Sequence, residues 1–287
     1  MIKEKGIVII ATGHPYYGRL AFNLAASIKA AEVSFPIAVL WNGDALNHIS
    51  QEQLRVFDDI IPVGDNPFRL KLSVPEFTPY RHSLLLDADM VWLPRKKPSE
   101  LFAEYERQEF LCITEGWHSL KEGIEGKPHP YRIWADLDEI KKKYKFRADR
   151  FYQCRSEVML MKSTNRVKEM FKRAVEIYDK PKVKVEVFAG VLPDEFGLNI
   201  ALAEKGFEID PVFWKPAYWS PFHGYRLPVP GDMMRDYYMM SVGGNITQAD
   251  TVSFYNKVSK AAVTAIGQQN FFPLMQKRAY LSERRTL

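Results

Sequence analysis

The sequence has few cysteines and no long apolar segment. Only two of its 287 residues are cysteines, Cys112 and Cys154, and neither belongs to a pair with the spacing of a metal site or a redox motif. We therefore expect both thiols to be buried and reduced. The apolar block at residues 7–10 is too short for the hydrophobic region of a signal peptide, and no later run is long enough to cross a bilayer. These absences predict a soluble, cytoplasmic protein with no transmembrane segment.

A strong charge bias and a glycine-rich phosphate loop are also missing. Lys and Arg number 40 against 35 Asp and Glu, and so small an excess suits a phosphate in a pocket as well as nucleic acid. The loop that follows the first predicted strand reads His14-Pro15-Tyr16-Tyr17, which interrupts any glycine-rich phosphate loop, and no Walker-type lysine motif occurs. Charge alone does not choose between a small anionic ligand and nucleic acid.

What the sequence does contain is an alternation of strands and helices. Apolar blocks at residues 6–12, 35–41 and 59–63 predict strands, an alanine-rich stripe at 19–31 predicts a helix, and Ser50 with Gln53 forms a capping box for another. Such alternation indicates a mainly parallel sheet with right-handed crossovers. Further strands are expected at residues 83–87, 110–114, 156–161 and 207–213, and further helices at 98–107, 136–144, 165–178 and 194–206.

The expected fold class is therefore α/β, with a mixed, mainly parallel, Rossmann-like central sheet. We predict a main domain at residues 1–225 and a helical C-terminal extension at residues 226–287, with no strands after residue 235. An irregular, functional or disordered loop is expected at residues 115–131. The basic segment at residues 276–285 is compatible with a solvated tail or with contact to nucleic acid, a membrane surface or a protein partner.

Two carboxylates follow the apolar run of one predicted strand. The apolar run at residues 83–86 ends in Asp87, and Asp89 follows two positions later. Open α/β sheets form ligand crevices at the carboxyl ends of their strands, and side chains two apart on a strand share a face, so both carboxylates can converge on one divalent cation. The alternative is an ordinary turn or cap. Asp136-Leu137-Asp138 has the same spacing, but the charged run at 139–143 predicts a solvated helix there.

Residues near this pair suggest how a nucleotide could bind. Tyr16 or Tyr17 could stack against a base, because aromatic faces accept any base, although both tyrosines could equally pack at the rim of a Gly/Pro turn. Upstream of the pair, Pro75 and Pro79 should break any long helix, which predicts a short helix and a turn that bring Arg69 and Lys71 near the strand that carries the aspartates. A cation is chemically sensible beside a diphosphate and a metal, while a solvated lysine is the more common fate of a single Lys.

The order of these segments resembles that of nucleotide-sugar glycosyltransferases with an A-type fold, particularly glycosyltransferase family 8 and related bacterial and bacteriophage proteins. The resemblance covers roughly residues 6–224, and the segment at residues 78–89 carries most of it. The matching segments are residues 9–12 with a following tyrosine, Lys71, residues 78–89, residues 156–161 and residues 193–199.

The resemblance implies a metal site and a donor site. Asp87 and Asp89 would hold Mn²⁺ or Mg²⁺ on the diphosphate of the donor, with His223 as a third metal ligand. The chemistry agrees, because a hard divalent cation with oxygen ligands neutralises a leaving nucleoside diphosphate. Asp194 would lie near the transferred sugar or the acceptor, and it also suits a helix cap. The implied donor-binding residues are Ala11, Thr12, Tyr16, Tyr17, Lys71, Asp87, Ala88 and Asp89.

The sequence also departs from the family pattern at two places. Arg155-Ser156-Glu157 replaces the usual Asn-Ser-Gly turn, so we expect Glu157 to face the sugar or the acceptor. After His223, the usual Lys-Pro-Trp continuation is absent, which weakens the assignment of His223 and leaves Arg226 as a candidate phosphate contact.

These observations favour a cytosolic glycosyltransferase that moves a sugar from a nucleoside-diphosphate donor, UDP by preference, to an acceptor hydroxyl. The resemblance implies retention of anomeric configuration. The acceptor is open: a saccharide, a protein side chain, a lipid-linked glycan or a hydroxymethylated base in bacteriophage DNA. Other hypotheses are a non-catalytic nucleotide-sugar-binding module and a nucleotidyltransferase, which the missing glycine-rich loop disfavours.

Overall fold

A computed structural model describes residues 3–64, 67–128, 133–187, 190–209, 214–219, 230–243 and 248–274. The chain forms two compact units, each assembled from separate segments. Unit 1 consists of Met1–Glu4, Val63–Leu85 and Gln108–Lys215, and unit 2 consists of Lys5–Pro62, Leu86–Arg107 and Pro216–Leu287. The boundary expected between residues 225 and 226 falls outside the described residues and stays a prediction.

The described residues form nine strands and nine helices. The strands are β1 (Lys3–Ala11), β2 (Ile37–Trp41), β3 (Asp59–Pro62), β4 (Tyr80–Asp87), β5 (Met90–Trp92), β6 (Phe110–Ser119), β7 (Arg150–Lys162), β8 (Ala217–Trp219) and β9 (Met239–Ser241). The helices are α1 (Pro15–Ala31), α2 (Gln51–Leu54), α3 (Pro67–Phe77), α4 (Pro98–Glu104), α5 (Leu137–Lys143), α6 (Asn165–Asp179), α7 (Asp194–Glu204), α8 (Pro230–Asp236) and α9 (Ala249–Ala265).

The central sheet has the strand order β3-β2-β1-β4-β7-β6. Strand β1 pairs in parallel with β2, which pairs in parallel with β3, whereas β6 and β7 are antiparallel. Ile7, Val8 and Ile9 of β1 are 0% exposed, as expected for a strand that is covered on both faces. The mixed, mainly parallel α/β sheet predicted from the sequence is confirmed, and the C-terminal region is mostly helical.

In unit 2, α1 packs unusually closely against the loop that follows β2. The helix begins at Pro15, and the Nδ1 atom of His14 caps it by accepting a hydrogen bond from the Tyr16 backbone N–H at 3.1 Å. A Cβ atom at Gly18 would lie 1.8 Å from the Ala45 carbonyl oxygen. Only glycine permits this approach, so Gly18 fixes the position of α1 at the carboxyl end of β1.

A second, three-stranded sheet in unit 2 corrects one expectation. Strand β9 lies between β5, to which it is antiparallel, and β8, to which it is parallel. We expected no strand after residue 235, and this was wrong. Each of the three strands has only three residues, which is too short for a two-residue period to stand out in the sequence.

The last described segment of unit 2 is irregular and is held by side-chain amides. Residues 268–274, which we call the C-terminal strap, follow α9 without regular structure. Asn23 Nδ2 donates to the Phe272 carbonyl at 2.5 Å, and Gln53 Nε2 donates to the Asn270 carbonyl at 3.2 Å. The Phe272 ring also meets Phe22 edge-on at 5.7 Å. The strap is therefore part of the packing of unit 2.

In unit 1, helices α3, α6 and α7 pack together, and α7 contacts β7. The expected disruption at Pro75 is smaller than predicted, because Pro75 lies inside α3, which continues to Phe77. The expected strand at 207–213 is also wrong in its described part, since residues 207–209 have no strand structure. Strand β6 runs on to Ser119, so the segment expected to be irregular from residue 115 begins later.

Both thiols of unit 1 are free and buried, as predicted. Cys154 is 3% exposed and Cys112 is 0% exposed. Burial raises the pKa of the Cys154 thiol well above its usual value, because the surrounding apolar groups disfavour the thiolate. We therefore interpret both cysteines as small core residues.

Candidate functional site

The acidic pair lies where β4 ends. Asp87 is the last residue of β4, while Asp89 lies in the two-residue turn that leads into β5. Because Asp89 lies outside a strand, the alternation of side chains along β4 does not determine where Asp89 points. This differs from the expectation that Asp87 and Asp89 share one face of a strand. Both aspartates are half-buried, and Ala88 between them is 3% exposed. The Val242 backbone N–H donates to the Asp89 carbonyl at 3.0 Å, so the residue that follows β9 fixes the backbone of this turn.

Oxygen donors of this kind suit a hard divalent cation. Mn²⁺ and Mg²⁺ prefer carboxylate oxygens, and they commonly take remaining ligands from water and from substrate phosphates. Among the described residues, no three His, Cys, Asp or Glu side chains are grouped so that they could hold a metal. Asp87 and Asp89 could therefore supply two of the oxygen ligands that such a cation needs. His223 and Arg226, predicted as a metal ligand and a phosphate contact, lie outside the described residues.

The predicted nucleotide loop, also in unit 2, is built by two segments. Ala11 is 0% exposed and Thr12 is 7% exposed. Gly13 has a φ of +75°, and its N–H donates to Asn42 Oδ1 at 2.8 Å. The Asp44 N–H donates to the Gly13 carbonyl at 3.1 Å. The loop after β2 therefore fixes the loop after β1, a pairing that the sequence did not indicate.

The two tyrosines of this loop differ in exposure. Tyr16 is 5% exposed, whereas Tyr17 is 36% exposed. Their rings meet edge-on, with centroids 5.8 Å apart. Tyr17 is therefore more accessible for stacking than Tyr16, which is buried.

Unit 1 contains a compact ionic cluster around Arg155. The Nε atom of Arg155 donates to Glu115 Oε1 at 2.6 Å, and a guanidinium nitrogen lies 3.7 Å from Glu195 Oε1. The side chains of Glu115 and Glu195 are 3% and 14% exposed. Burial lowers the pKa of Arg155, but the negative charges of Glu115, Glu195 and Glu157 raise it by more than burial lowers it. The pKa of Arg155 therefore lies above its ordinary value. The guanidinium is therefore permanently charged and neutralises carboxylates that water barely reaches.

Breaks in the β6–β7 ladder produce this cluster. Ile113 pairs with Arg155 while Cys112 pairs with Met159, so residues 156–158 bulge from β7. A second irregularity places residues 115–116 of β6 opposite a single residue of β7. Bulges re-aim side chains next to functional sites. Glu157 and Glu115 both lie in these irregular stretches, and only Glu157 was selected from the sequence.

Lys71 and Asp194 also belong to unit 1. Lys71 is half-buried, and its Nζ atom lies 3.5 Å from the Ser156 hydroxyl, next to Glu157. Asp194 is 1% exposed. Its expected role as a helix cap is wrong, because the N-cap of α7 is Pro193 and Asp194 is the first helical residue. Arg69, expected with Lys71 near the strand that carries the aspartates, forms a two-point ion pair with Asp179 at 2.9 and 3.0 Å.

The described candidates thus fall into two groups. Unit 2 holds Asp87, Ala88, Asp89 and the loop with Ala11, Thr12, Tyr16 and Tyr17, and unit 1 holds Lys71, Glu157 and Asp194. The sequence did not identify Asn42, Glu115 or Glu195, because their positions depend on a loop–loop contact and on strand bulges that leave no periodic signal.

No helix of the described residues is both long and apolar enough to span a membrane.

Comparison with solved structures identifies proteins of the same fold. The chain is similar to the WbbM bifunctional glycosyltransferase, with a TM-score of 0.56 and 12% identity over 94% of this chain and 52% of WbbM. It is also similar to the galactosyltransferase LgtC in complex with donor and acceptor sugar analogs, with a TM-score of 0.54 and 14% identity over 89% of this chain and 95% of LgtC. An active-site mutant of LgtC gives a TM-score of 0.52 at 15% identity.

These similarities establish the fold. The chain has the A-type glycosyltransferase fold, as the resemblance implied, and it spans about half the length of WbbM. No family model and no curated protein sequence matches the chain.

Proposed function

We propose that this protein is a metal-dependent glycosyltransferase that moves a sugar from a nucleoside-diphosphate donor, UDP-sugar by preference, to an acceptor hydroxyl. The observation that carries the proposal is the pair of half-buried carboxylates, Asp87 and Asp89, at the end of β4 in an A-type glycosyltransferase fold. Carboxylates next to a buried strand incur a desolvation cost that a bound cation offsets. The fold alone does not favour a donor, whereas the acidic pair supports one that carries a diphosphate, which a divalent cation can bind.

In this proposal, unit 2 binds the nucleotide and the diphosphate. Asp87 and Asp89 would hold Mn²⁺ or Mg²⁺, and such a cation would supply positive charge next to the leaving diphosphate. The backbone at Ala11, Thr12 and Ala88 lines the donor site, and Tyr17 offers its exposed ring to the base. The hydrogen bonds that fix Gly13 hold this loop in place before the donor arrives.

Three further residues keep the roles that the resemblance implies. Lys71 would supply a positive charge to the donor, and Glu157 and Asp194 would accept hydrogen bonds from sugar or acceptor hydroxyls. We infer a transfer with retention, in which the departing phosphate oxygen takes the acceptor proton, so no separate side-chain base is required. The protein would then act mainly by orienting the reactants and by stabilising charge.

The chain offers its own control for a test of this function. The purified protein is incubated with Mn²⁺ and UDP-glucose or UDP-galactose, and released UDP is measured. We expect slow hydrolysis that EDTA abolishes and that Asp87→Asn or Asp89→Asn reduces at least about 100-fold, equivalent to about 2.7 kcal/mol of transition-state stabilisation. Asp138→Asn is the matched control, because it alters an Asp-x-Asp sequence on the exposed helix α5 and should leave the rate unchanged.

Two outcomes would contradict the proposal in different ways. If the Asp87→Asn and Asp89→Asn variants hydrolysed UDP-sugar at the wild-type rate, the pair would not be the metal site. Tight binding of UDP-sugar with Mn²⁺ but no release of UDP, even with saccharide acceptors added, would indicate a non-catalytic binding module.

A further inference from the structure

Arg155 connects three elements of unit 1. It belongs to β7, and its Nε atom donates to Glu115 Oε1 of β6 at 2.6 Å, while its Nη1 atom lies 3.7 Å from Glu195 Oε1 of α7. The two carboxylate side chains are only 3% and 14% exposed, so water competes little for the guanidinium. The planar guanidinium can face two carboxylates at once because its N–H groups form a rigid fork.

Other contacts fix the body and the C-terminal end of α7. Asn199 Oδ1 accepts a hydrogen bond from the Cys154 backbone N–H at 3.1 Å, which joins the middle of the helix to β7. At the last residue of the helix, Glu204 Oε2 accepts from Arg173 Nε of α6 at 2.6 Å. Two arginines of unit 1 therefore contact α7, one at each end.

The first turn of α7 lacks the usual side-chain cap. The first N–H groups of a helix have no partner inside the helix, and Ser, Thr, Asp or Asn at the N-cap commonly satisfies one of them. The N-cap of α7 is Pro193, whose side chain makes no such bond. The ion pair between Arg155 and Glu195 therefore ties to β7 a turn that its own cap does not hold.

The residues next to this ion pair are those with a role in the proposed reaction. Asp194 directly precedes Glu195 and is 1% exposed. Ser156 and Glu157 directly follow the arginine in the bulge of β7, and Lys71 Nζ lies 3.5 Å from the Ser156 hydroxyl. The arginine and its partner thus stand between the bulge and the start of α7.

We propose that Arg155 is a positioning residue for Asp194. Through its ion pair with Glu195, it fixes the first turn of α7 relative to the bulge that carries Glu157, while Glu115 holds the other side of the guanidinium. A displacement of about 1 Å caused by a distant substitution can lower a rate about 100-fold. The inference rests on the proposed function, which assigns the contact with sugar or acceptor to Asp194.

The test compares the two arginines that contact α7. Arg155→Lys keeps the positive charge, but an ammonium group cannot replace the fork that faces both Glu115 and Glu195. We expect kcat for UDP release from the UDP-sugar that the wild type hydrolyses to fall at least about 10-fold. Arg173→Lys is the matched control: it alters the pair with Glu204 at the opposite end of α7, and its kcat should stay within about twofold of the wild type.

A binding measurement separates positioning from general damage. A Mn²⁺ titration in the presence of UDP, followed by electron paramagnetic resonance of the free ion, should give the same affinity for the wild type and for Arg155→Lys. Loss of kcat without loss of donor binding is the result of a displaced group at the sugar. A variant that is only less stable, but folded at the assay temperature, keeps both properties, and thermal unfolding verifies that each variant is folded.

A double-mutant cycle tests the route through Glu195. Glu195→Gln removes the charge that Arg155 contacts, so adding Arg155→Lys in that background should lower kcat by no more than about a further twofold. Should Arg155→Lys not fold, Glu195→Gln alone should lower kcat severalfold while Mn²⁺ still binds with UDP as in the wild type.

The possible failures are distinguishable. The positioning role alone is overturned if folded Arg155→Lys keeps the wild-type kcat, if Arg173→Lys loses as much, if Mn²⁺ affinity falls in parallel, or if the loss is undiminished in the Glu195→Gln background. An unchanged kcat in Glu195→Gln overturns it when Arg155→Lys does not fold. A wild-type chain that releases no UDP from UDP-sugars overturns this inference together with the proposed function.

Discussion

Arg155 is the residue on which the polar cluster of unit 1 depends. It lies 2.6 Å from Glu115 and 3.7 Å from Glu195, and both carboxylates are largely shielded from water. A buried ion pair is only weak evidence of net stability, but removing one partner leaves an uncompensated buried charge. The structure therefore makes Arg155 more important for stability than its half-buried side chain would suggest.

We expect Arg155→Met to lower the free energy of unfolding by about 3–5 kcal/mol, because Glu115 would remain buried and charged without a partner. Urea-induced unfolding measures the change. Arg235→Met is the matched control: Arg235 also contacts two carboxylates, Asp232 and Asp236, but its side chain is 66% exposed, and such surface pairs contribute about 0–1 kcal/mol.

The double variant Arg155→Met with Glu115→Gln adds a check on the mechanism. Neutralising Glu115 should recover part of the stability lost in the single variant, since the uncompensated charge is gone. A single variant within about 1 kcal/mol of the wild type would show that this pair is not effectively buried.

Residues whose position follows from a regular element could be predicted from the sequence, whereas residues whose position depends on irregular backbone could not. Asp87 could be identified because a hydrophobic strand is predicted to end there, and β4 does end at Asp87. Glu115 and Arg155 meet only because the β6–β7 ladder slips at two places. A one-residue slip reverses the face to which a side chain points, and the sequence does not reveal where such slips occur.

Among the elements, the C-terminal strap at residues 268–274 shows how irregular backbone can be held as firmly as a strand. Asn256 of α9 donates to the Leu274 carbonyl at 3.0 Å and accepts from the Leu274 N–H at 2.6 Å. Leu274 is 2% exposed, so both backbone groups would otherwise lose hydrogen bonds away from water. One amide side chain thus replaces the partners that a neighbouring strand would provide.

Asn256→Ala should therefore lower the free energy of unfolding by about 1–3 kcal/mol, because two buried backbone groups lose their partner. Chemical denaturation followed by tryptophan fluorescence measures this change. Asn47→Ala is the control: Asn47 is exposed and its amide donates to the Asp44 side chain at 2.6 Å, so the loss of stability should stay within about 0.5 kcal/mol. Equal effects of the two substitutions would show that the strap contributes nothing to the stability of unit 2.

The elements that the sequence predicted best are those with long, regular patterns. Helix α1 was expected at 19–31 and begins four residues earlier, at Pro15, because His14 supplies a cap. The capping box of Ser50 and Gln53 is present as predicted, with both of its hydrogen bonds. By contrast, β8 and β9 are stabilised by pairing partners distant in the sequence, and three residues carry too little pattern to reveal them.

On the scale of the whole molecule, neither unit is a continuous stretch of chain. Residues Pro216–Leu287 belong to unit 2 together with Lys5–Pro62 and Leu86–Arg107. Strand β9 pairs with β5 immediately after Asp89, and Tyr238 next to β9 donates a hydrogen bond to Glu104 at 2.7 Å. The region expected to be an extension therefore supplies partners to the turn that carries the acidic pair.

This arrangement gives a direct test of the boundary predicted between residues 225 and 226. We expect a chain that ends at residue 229 to lose cooperative thermal unfolding and Mn²⁺ binding, because β5 loses β9 and α1 loses the packing of α9. A chain that ends at Leu274 keeps both elements and the strap, so its unfolding midpoint should stay within a few degrees of the full chain. Circular dichroism during heating and the Mn²⁺ titration measure the two properties. A chain of residues 1–229 that unfolds cooperatively and still binds Mn²⁺ would instead support an independent N-terminal domain, and the pairing of β5 with β9 would then be dispensable for the acidic pair.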